Sequence, residues 1–339
     1  MIIVTGGTGL VGGHLLWHLL QEEQRIVATR RTTSNIDSLR RIFGFYTDDV
    51  ESYLARIEWR TADVLDAESL QSVLDEDSIV YHCAALVSLN NNVDLLLDTN
   101  VIGTKNIVDA ALKANVKKLC FVSSIAACGK TYDDSEVDEN TVYRPNVKRS
   151  PYSKSKYEAE QIVWQAIEKG LRAVIVNPGV ILGFSGNDSG SAKLFSQVNK
   201  GLPFYTNGGT GYVDVRDVAR AMILLMKSDV LAERFILVGE NCSTKEVLSA
   251  IADGFSKRRP FISIGKKMLL TVGCVMELLG KLFHFTPLID RNMARTSTGK
   301  TRYSNEKVKR SIDIQFTNIS DAIRDICAYI IKEKKSPLL

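Results

Sequence analysis

Ile2-Ile3-Val4-Thr5-Gly6-Gly7-Thr8-Gly9-Leu10-Val11-Gly12 opens the chain, and an apolar helical pattern over residues 14–21 follows it closely. The first three residues read as a buried strand, and the glycines at 6, 9 and 12 each meet a different need. Gly6 permits the tight turn from strand to helix. Gly9 lets the backbone approach a pyrophosphate, and Gly12 lets the helix pack closely, while free N–H groups at the helix start face an anion. Gly209 and Gly211 also cluster but read as a mere turn. At residues 6–12, with Thr8, Leu10 and Val11 in the same turn, the flanking strand and helix point to a dinucleotide cradle.

The alternation of strand and helix continues outward from this turn. Strand patterns at residues 25–29, 57–62, 78–82, 118–123 and 173–176 are separated by amphipathic segments that include 99–114 and 151–169. Helical crossovers imply parallel strands, so the fold class is α/β, a Rossmann-type doubly wound parallel sheet. After Pro178 the pattern loosens into glycine-rich loops around one helix at 193–200; a strand at 212–218 then enters a helix at 218–227. This predicts a nucleotide-binding domain from residues 1–180 and 212–230, and a second, smaller, mostly helical substrate domain from 181–211 and 231–339.

Composition narrows the function. The 339 residues are 45% hydrophobic and 24% charged, with a net charge of +4, which fits a globular chain and is too weak to imply a polyanion partner. Six cysteines without a C-x-x-C pair and four histidines without ligand spacing argue against disulfide and metal frameworks. The opening strand leaves no room for a secretory leader, so a cytoplasmic location is expected. The longest apolar run, 268–276, is too short to span a bilayer. Residues 266–285, apolar with basic flanks, are read as core packing, a pocket lid or a membrane-contact helix, and His284 within them as a non-catalytic histidine. Lys332 to Lys335 form a solvated basic tail. No nucleic-acid partner is expected.

The end of the second strand reads Ala28-Thr29-Arg30-Arg31, where an NAD-preferring site would place an acidic residue. Two guanidiniums suit a 2′-phosphate, so NADP is favoured, with NAD the alternative. Asp63, after the third strand, could accept from the adenine amino group or cap a helix.

Pro151-Tyr152-Ser153-Lys154-Ser155-Lys156 opens a helix capped by Ser150, which places Tyr152 and Lys156 on one face. An ammonium there would pull the phenol below its usual pKa and form an acid/base unit. Tyr303 and Lys307 repeat the spacing by chance. Ser124, at the end of a strand, marks out the first pair, because this sheet type holds its ligands at its carboxyl edge.

These residues resemble the extended short-chain dehydrogenase/reductase family, also called the NAD-dependent epimerase/dehydratase family. The likeness rests on the Gly6, Gly9, Gly12 spacing, Asp63-Val64, His82-Cys83-Ala84-Ala85, Asn100-Val101-x-Gly103-Thr104, Ser123-Ser124, Tyr152-x-x-x-Lys156 and Asn177-Pro178-Gly179. The resemblance implies cofactor contacts from Val64, Cys83, Ala84, Ala85, Tyr152, Lys156 and Pro178, and support of the central helix by Asn100. It also implies a homodimer through residues 100–114 and 152–169. Gly209 to Val218 and Ala28-Thr29-x-Arg31 look like the branch of dihydroflavonol reductases and 3β-hydroxysteroid dehydrogenases.

The expected function is NADP-dependent reduction of a small-molecule ketone or aldehyde, with Ser124, Tyr152 and Lys156 catalytic and residues 128–132 and 183–191 lining the pocket. The alternatives are an NAD-dependent nucleotide-sugar epimerase or dehydratase, and a non-catalytic NADP-sensing protein.

Overall fold

The computed structural model describes residues 1–339 except 24, 88–92, 132–134, 145–148, 188–189, 266–267, 269–270, 272–298 and 336–339. His284 and almost all of the 266–285 segment therefore lie outside the described residues.

Seven parallel strands form the main sheet: β1 (Ile2–Thr5), β2 (Ile26–Arg30), β3 (Ile57–Thr61), β4 (Ile79–His82), β5 (Lys118–Val122), β6 (Ala173–Pro178) and, later in the chain, β10 (Glu233–Leu237). Their order is β10-β6-β5-β4-β1-β2-β3. The winding direction reverses between β1 and β4, which opens a crevice at their carboxyl ends. Each strand alternates sides, so two separate cores form. Val4, Ala28, Val174 and Phe235 pack with Leu15, Leu16 and Met222 on one face; Ile3, Val27, Val80 and Ile175 pack with Ile107, Val108 and Val163 on the other.

A three-stranded sheet of β7 (Val180–Leu182), β9 (Gly209–Asp214) and β11 (Glu240–Ser243) and a pair, β8 (Phe204–Tyr205) with β12 (Ile262–Ser263), build the region beyond Pro178. Its core joins Phe195, Tyr212, Leu248, Ile251 and Ile323. Among the described residues, no helix is long and apolar enough to cross a membrane.

Several boundaries differ from expectation. The first helix, Leu10–Leu19, starts directly after Gly9. β9 ends at Asp214, whose side chain accepts from the Arg216 N–H and starts the helix Val215–Lys227 three residues early. β10, beyond the residue-230 boundary drawn from the sequence, pairs in register with β6 along Glu233–Leu237.

Candidate active site

Gly6 has φ +71°, and a Cβ there would stand 2.6 Å from the Ala84 nitrogen. Only glycine fits a turn pressed this closely on the chain leaving β4, the segment that holds Cys83, Ala84 and Ala85. A Cβ on Gly12 would lie 2.8 Å from the Gly6 carbonyl carbon, so the third glycine lets the helix sit on the turn itself. Gly9 is the helix N-cap in extended conformation, with no side-chain cap. The N–H groups of the first turn, beginning at Leu10, Val11 and Gly12, thus have neither a capping side chain nor intrahelical partners. Thr8 is fixed through its carbonyl, which accepts from Ser38 Oγ at 3.2 Å. A bare backbone turn at the positive end of a helix fits a pyrophosphate by shape and charge.

Arg30 ends β2 with its guanidinium 5.4 Å from the Trp59 ring centroid, and Arg31 is exposed. Neither forms an ion pair among the described residues. Asp63 Oδ1 accepts from the Leu65 N–H at 3.0 Å, a local turn; the helix cap is Asp66, which accepts from Glu68 and Ser69. Val64 packs where a Gly103 Cβ would be, and its carbonyl accepts from Asn106 Nδ2 at 2.9 Å.

Ser124 follows β5, and Oγ accepts from the Ala126 N–H at 3.1 Å, starting the short helix Ile125–Ala127. Ser150 accepts from the Ser153 N–H at 3.1 Å, and Pro151 opens the helix Pro151–Glu168. This brings the Tyr152 phenol beside the Ser124 hydroxyl, close enough for Ser124 to oppose the effect of burial on the phenol. Lys156 is 3% exposed and donates to the Val122 carbonyl at 3.0 Å. Burial lowers its pKa to about 8, against the opposing influence of Cys83 and Glu160. Burial raises the Tyr152 phenol, partly countered by the Ser124 hydroxyl. The expectation that Lys156 pulls the phenol down is therefore not met: in this arrangement the ammonium is turned toward Val122, and burial decides the direction.

Asn100 sits in a π-turn, Asp98–Ile102, ahead of the helix Gly103–Ala114. Its Oδ1 accepts from the Leu86 N–H at 2.8 Å, while Nδ2 donates to the Leu86 carbonyl and Ser155 Oγ, each at 2.9 Å. It thus clamps the chain leaving β4 to the Tyr152 helix. Pro178, buried, ends β6 opposite Leu237.

Sequence reading missed Glu160, one further turn along the face of Tyr152 and Lys156. The buried carboxylate accepts from Ser123 Oγ at 2.6 Å and Asn177 Nδ2 at 2.8 Å, and pairs with Arg234 at 3.0 Å. Asn177 Nδ2 also donates to the Ser124 carbonyl at 3.0 Å. Spacing at i, i+4 and i+8 from Tyr152 was the available signal. Tyr303 and Lys307 do not form a second unit: Tyr303 is buried with Ile125 and Cys128, while Lys307 donates to the Arg234 carbonyl and pairs with Glu233.

The crevice, the glycine turn and the Ser-Tyr-Lys constellation define an enzyme of the extended short-chain dehydrogenase/reductase type, an NAD(P)-dependent oxidoreductase. The chain belongs to the NAD dependent epimerase/dehydratase family, whose model matches residues 2–239. It is 28% identical over 332 residues to a putative dihydroflavonol 4-reductase of Synechocystis, covering 95% of this chain and 92% of that protein. Cinnamoyl-CoA reductase 1 of Petunia hybrida is 26% identical over 338 residues, covering 95% and 90%. The UDP-glucose 4-epimerase of Thermus thermophilus, solved with NAD, shares the fold at a TM-score of 0.73 and 21% identity, covering 97% of this chain and 98% of that one.

Proposed function

We propose that the chain is an NADP-dependent carbonyl reductase, converting a ketone or aldehyde to an alcohol. The observation that carries this reading is the Ser124–Tyr152 hydroxyl pair, with Lys156 buried one helical turn away at the carboxyl edge of the sheet. Reductases among the relatives favour this over sugar-nucleotide chemistry.

The Gly6–Gly12 turn would hold the pyrophosphate, Arg30 and Arg31 the 2′-phosphate, and Lys156 the nicotinamide ribose. The reduced coenzyme supplies the hydride and its electron pair. Ser124 donates a hydrogen bond to the substrate oxygen, and Tyr152 gives that oxygen its proton. Burial keeps the phenol protonated, so the proton to be given is in place at neutral pH, although the raised pKa makes it a weaker acid. Lys156, charged below about pH 8, adds positive potential where negative charge develops.

The test is coenzyme consumption across aldehydes and ketones, with NADPH and NADH in parallel. NADPH should be preferred, and Tyr152→Phe should bind coenzyme normally while losing turnover by roughly 10²–10⁴-fold. Undiminished turnover in that variant would overturn the mechanism. Tightly retained NAD together with binding of a sugar nucleotide would favour the epimerase or dehydratase alternative.

A further inference from the structure

Arg149 stands immediately before the Ser150 cap and three residues before Tyr152. Its guanidinium lies 4.3 Å from the Tyr143 ring centroid, and Tyr143 stacks on Tyr157 of the Tyr152 helix at 3.7 Å between centroids. Nη1 donates to the Cys128 carbonyl at 3.2 Å. Cys128 closes the short helix that Ser124 opens, so this one side chain ties the loop behind Ser124 to the entrance of the Tyr152 helix.

Stacking and one hydrogen bond fix the guanidinium but leave its other edge unused. Nε is buried without a partner, and Arg149 forms no ion pair among the described residues. Nε–H and the adjacent Nη2 form the side-on fork that matches two oxygens of a carboxylate or phosphate. The exposed Lys130 is a second cation within electrostatic reach, its ammonium lowered by partial desolvation and by the positive charge of Arg149. The acidic groups whose charge reaches Cys128 are engaged elsewhere, Glu160 with Arg234 and Glu139 with the Ile236 N–H. Two cations behind the Ser124 loop, with no ion pair to either among the described residues, repel each other and leave a donor unsatisfied, and both costs fall when an anion binds.

We propose that the Nε/Nη2 edge of Arg149, assisted by Lys130, holds an oxyanion carried by the substrate. The preferred substrates are then ketones or aldehydes that carry a carboxylate or a phosphate elsewhere in the molecule, rather than neutral ketones and aldehydes. The reacting end of this substrate rests on the reductase reading above; the anion site is tested separately from it.

The probes are 3-formylbenzoate, 3-formylphenyl phosphate and benzaldehyde, reduced with NADPH. The wild-type protein should favour one of the anionic aldehydes by about tenfold or more in kcat/KM, and the favoured one identifies the anion. Arg149→Met should abolish that preference, Arg149→Lys should keep part of it because a point charge lacks the fork, and Lys130→Met should reduce it. A purely structural Arg149 would depress all three aldehydes alike; that result, or no preference in the wild type, overturns the proposal. If Arg149→Met does not fold, the two lysine variants carry the same comparison.

If no aldehyde is reduced, the reductase reading falls and calorimetry with benzoate, phenyl phosphate and benzyl alcohol decides the anion site. Binding of either anion, weakened in Arg149→Lys and Lys130→Met, supports the site. Absence of anion binding overturns it.

Discussion

Lys156 donates to the carbonyl oxygen of Val122 at 3.0 Å, two residues before Ser124 on the same stretch of chain. One carbonyl is meagre solvation for an ammonium that is 3% exposed, and the pKa of about 8 follows from that burial. Below that value the side chain is charged; above it the free protein loses a positive charge from the site. The kcat/KM for coenzyme, which reports groups of the free enzyme, should therefore fall as pH rises through about 8. Lys156→Arg should remove this alkaline limb, because a guanidinium stays protonated throughout the range. An unchanged limb in that variant would assign it to another group.

The turn over Gly6 predicts a coupled loss of stability and coenzyme affinity. Alanine at position 12 would place its Cβ 2.8 Å from the Gly6 carbonyl carbon, and backbone on both sides leaves little room to yield. Gly12→Ala should cost about 1–3 kcal/mol of stability through overpacking and raise the coenzyme Kd by tenfold or more, about 1.4 kcal/mol. Thermal unfolding with and without coenzyme separates the two effects. A variant that unfolds earlier yet binds coenzyme normally would show that this turn does not hold the pyrophosphate.

Physical reasons explain which parts of the site were legible in the sequence. Five of the seven strands in the main sheet announce themselves because strands buried on both faces read as apolar runs; β3, also read from the sequence, is an edge strand with Glu58 and Thr61 exposed. β10 opens with Glu233-Arg234, two half-buried charged residues at the sheet edge, and its strand character comes from pairing with β6. The glycines were legible because their constraint is steric and local. Glu160 was not, because a carboxylate on an amphipathic helix looks solvated until Arg234, 74 residues later in the chain, is folded against it. Arg149 was equally opaque: its carbonyl partner, Cys128, stands 21 residues earlier, and it and the stacking partner, Tyr143, lie in the same irregular connection, where no periodic pattern announces a contact.

Glu160 gives the next prediction. It is buried, with Ser123, Asn177 and Arg234 all directed at one carboxylate. Replacing one member of such a buried pair strands the other charge, so Glu160→Ala should lose about 3–5 kcal/mol. Adding Arg234→Met should recover part of that loss by removing the stranded guanidinium. Denaturant unfolding of the two single variants and the double variant measures the coupling; strict additivity would mean that the pair contributes nothing as a pair.

Acid should unfold the protein through its buried histidines. His14 and His18 are lowered to about 4, and His82 to about 3, each chiefly by burial. His14 bridges the Tyr46 hydroxyl and the Phe184 carbonyl, His82 lies between Thr5 and Thr104, and His18 Nε2 is buried without a partner. In the unfolded chain all three titrate near the ordinary value of 6.5. Above that pH neither state binds the protons, and the histidines cost nothing. As pH falls below it the unfolded chain takes up protons that the folded protein refuses. Stability should then fall by about 1.4 kcal/mol per pH unit for each histidine, the loss continuing down to the folded-state values. His18→Leu removes one of these protons without breaking a hydrogen bond to its Nε2. Its unfolding free energy, measured by denaturant at intervals from pH 7.5 to 4.5, should fall less steeply than that of the wild type by about one proton's slope. Parallel curves for the two proteins would mean that His18 is protonated within the folded structure, beside Arg216 and Arg220 whose charges oppose it.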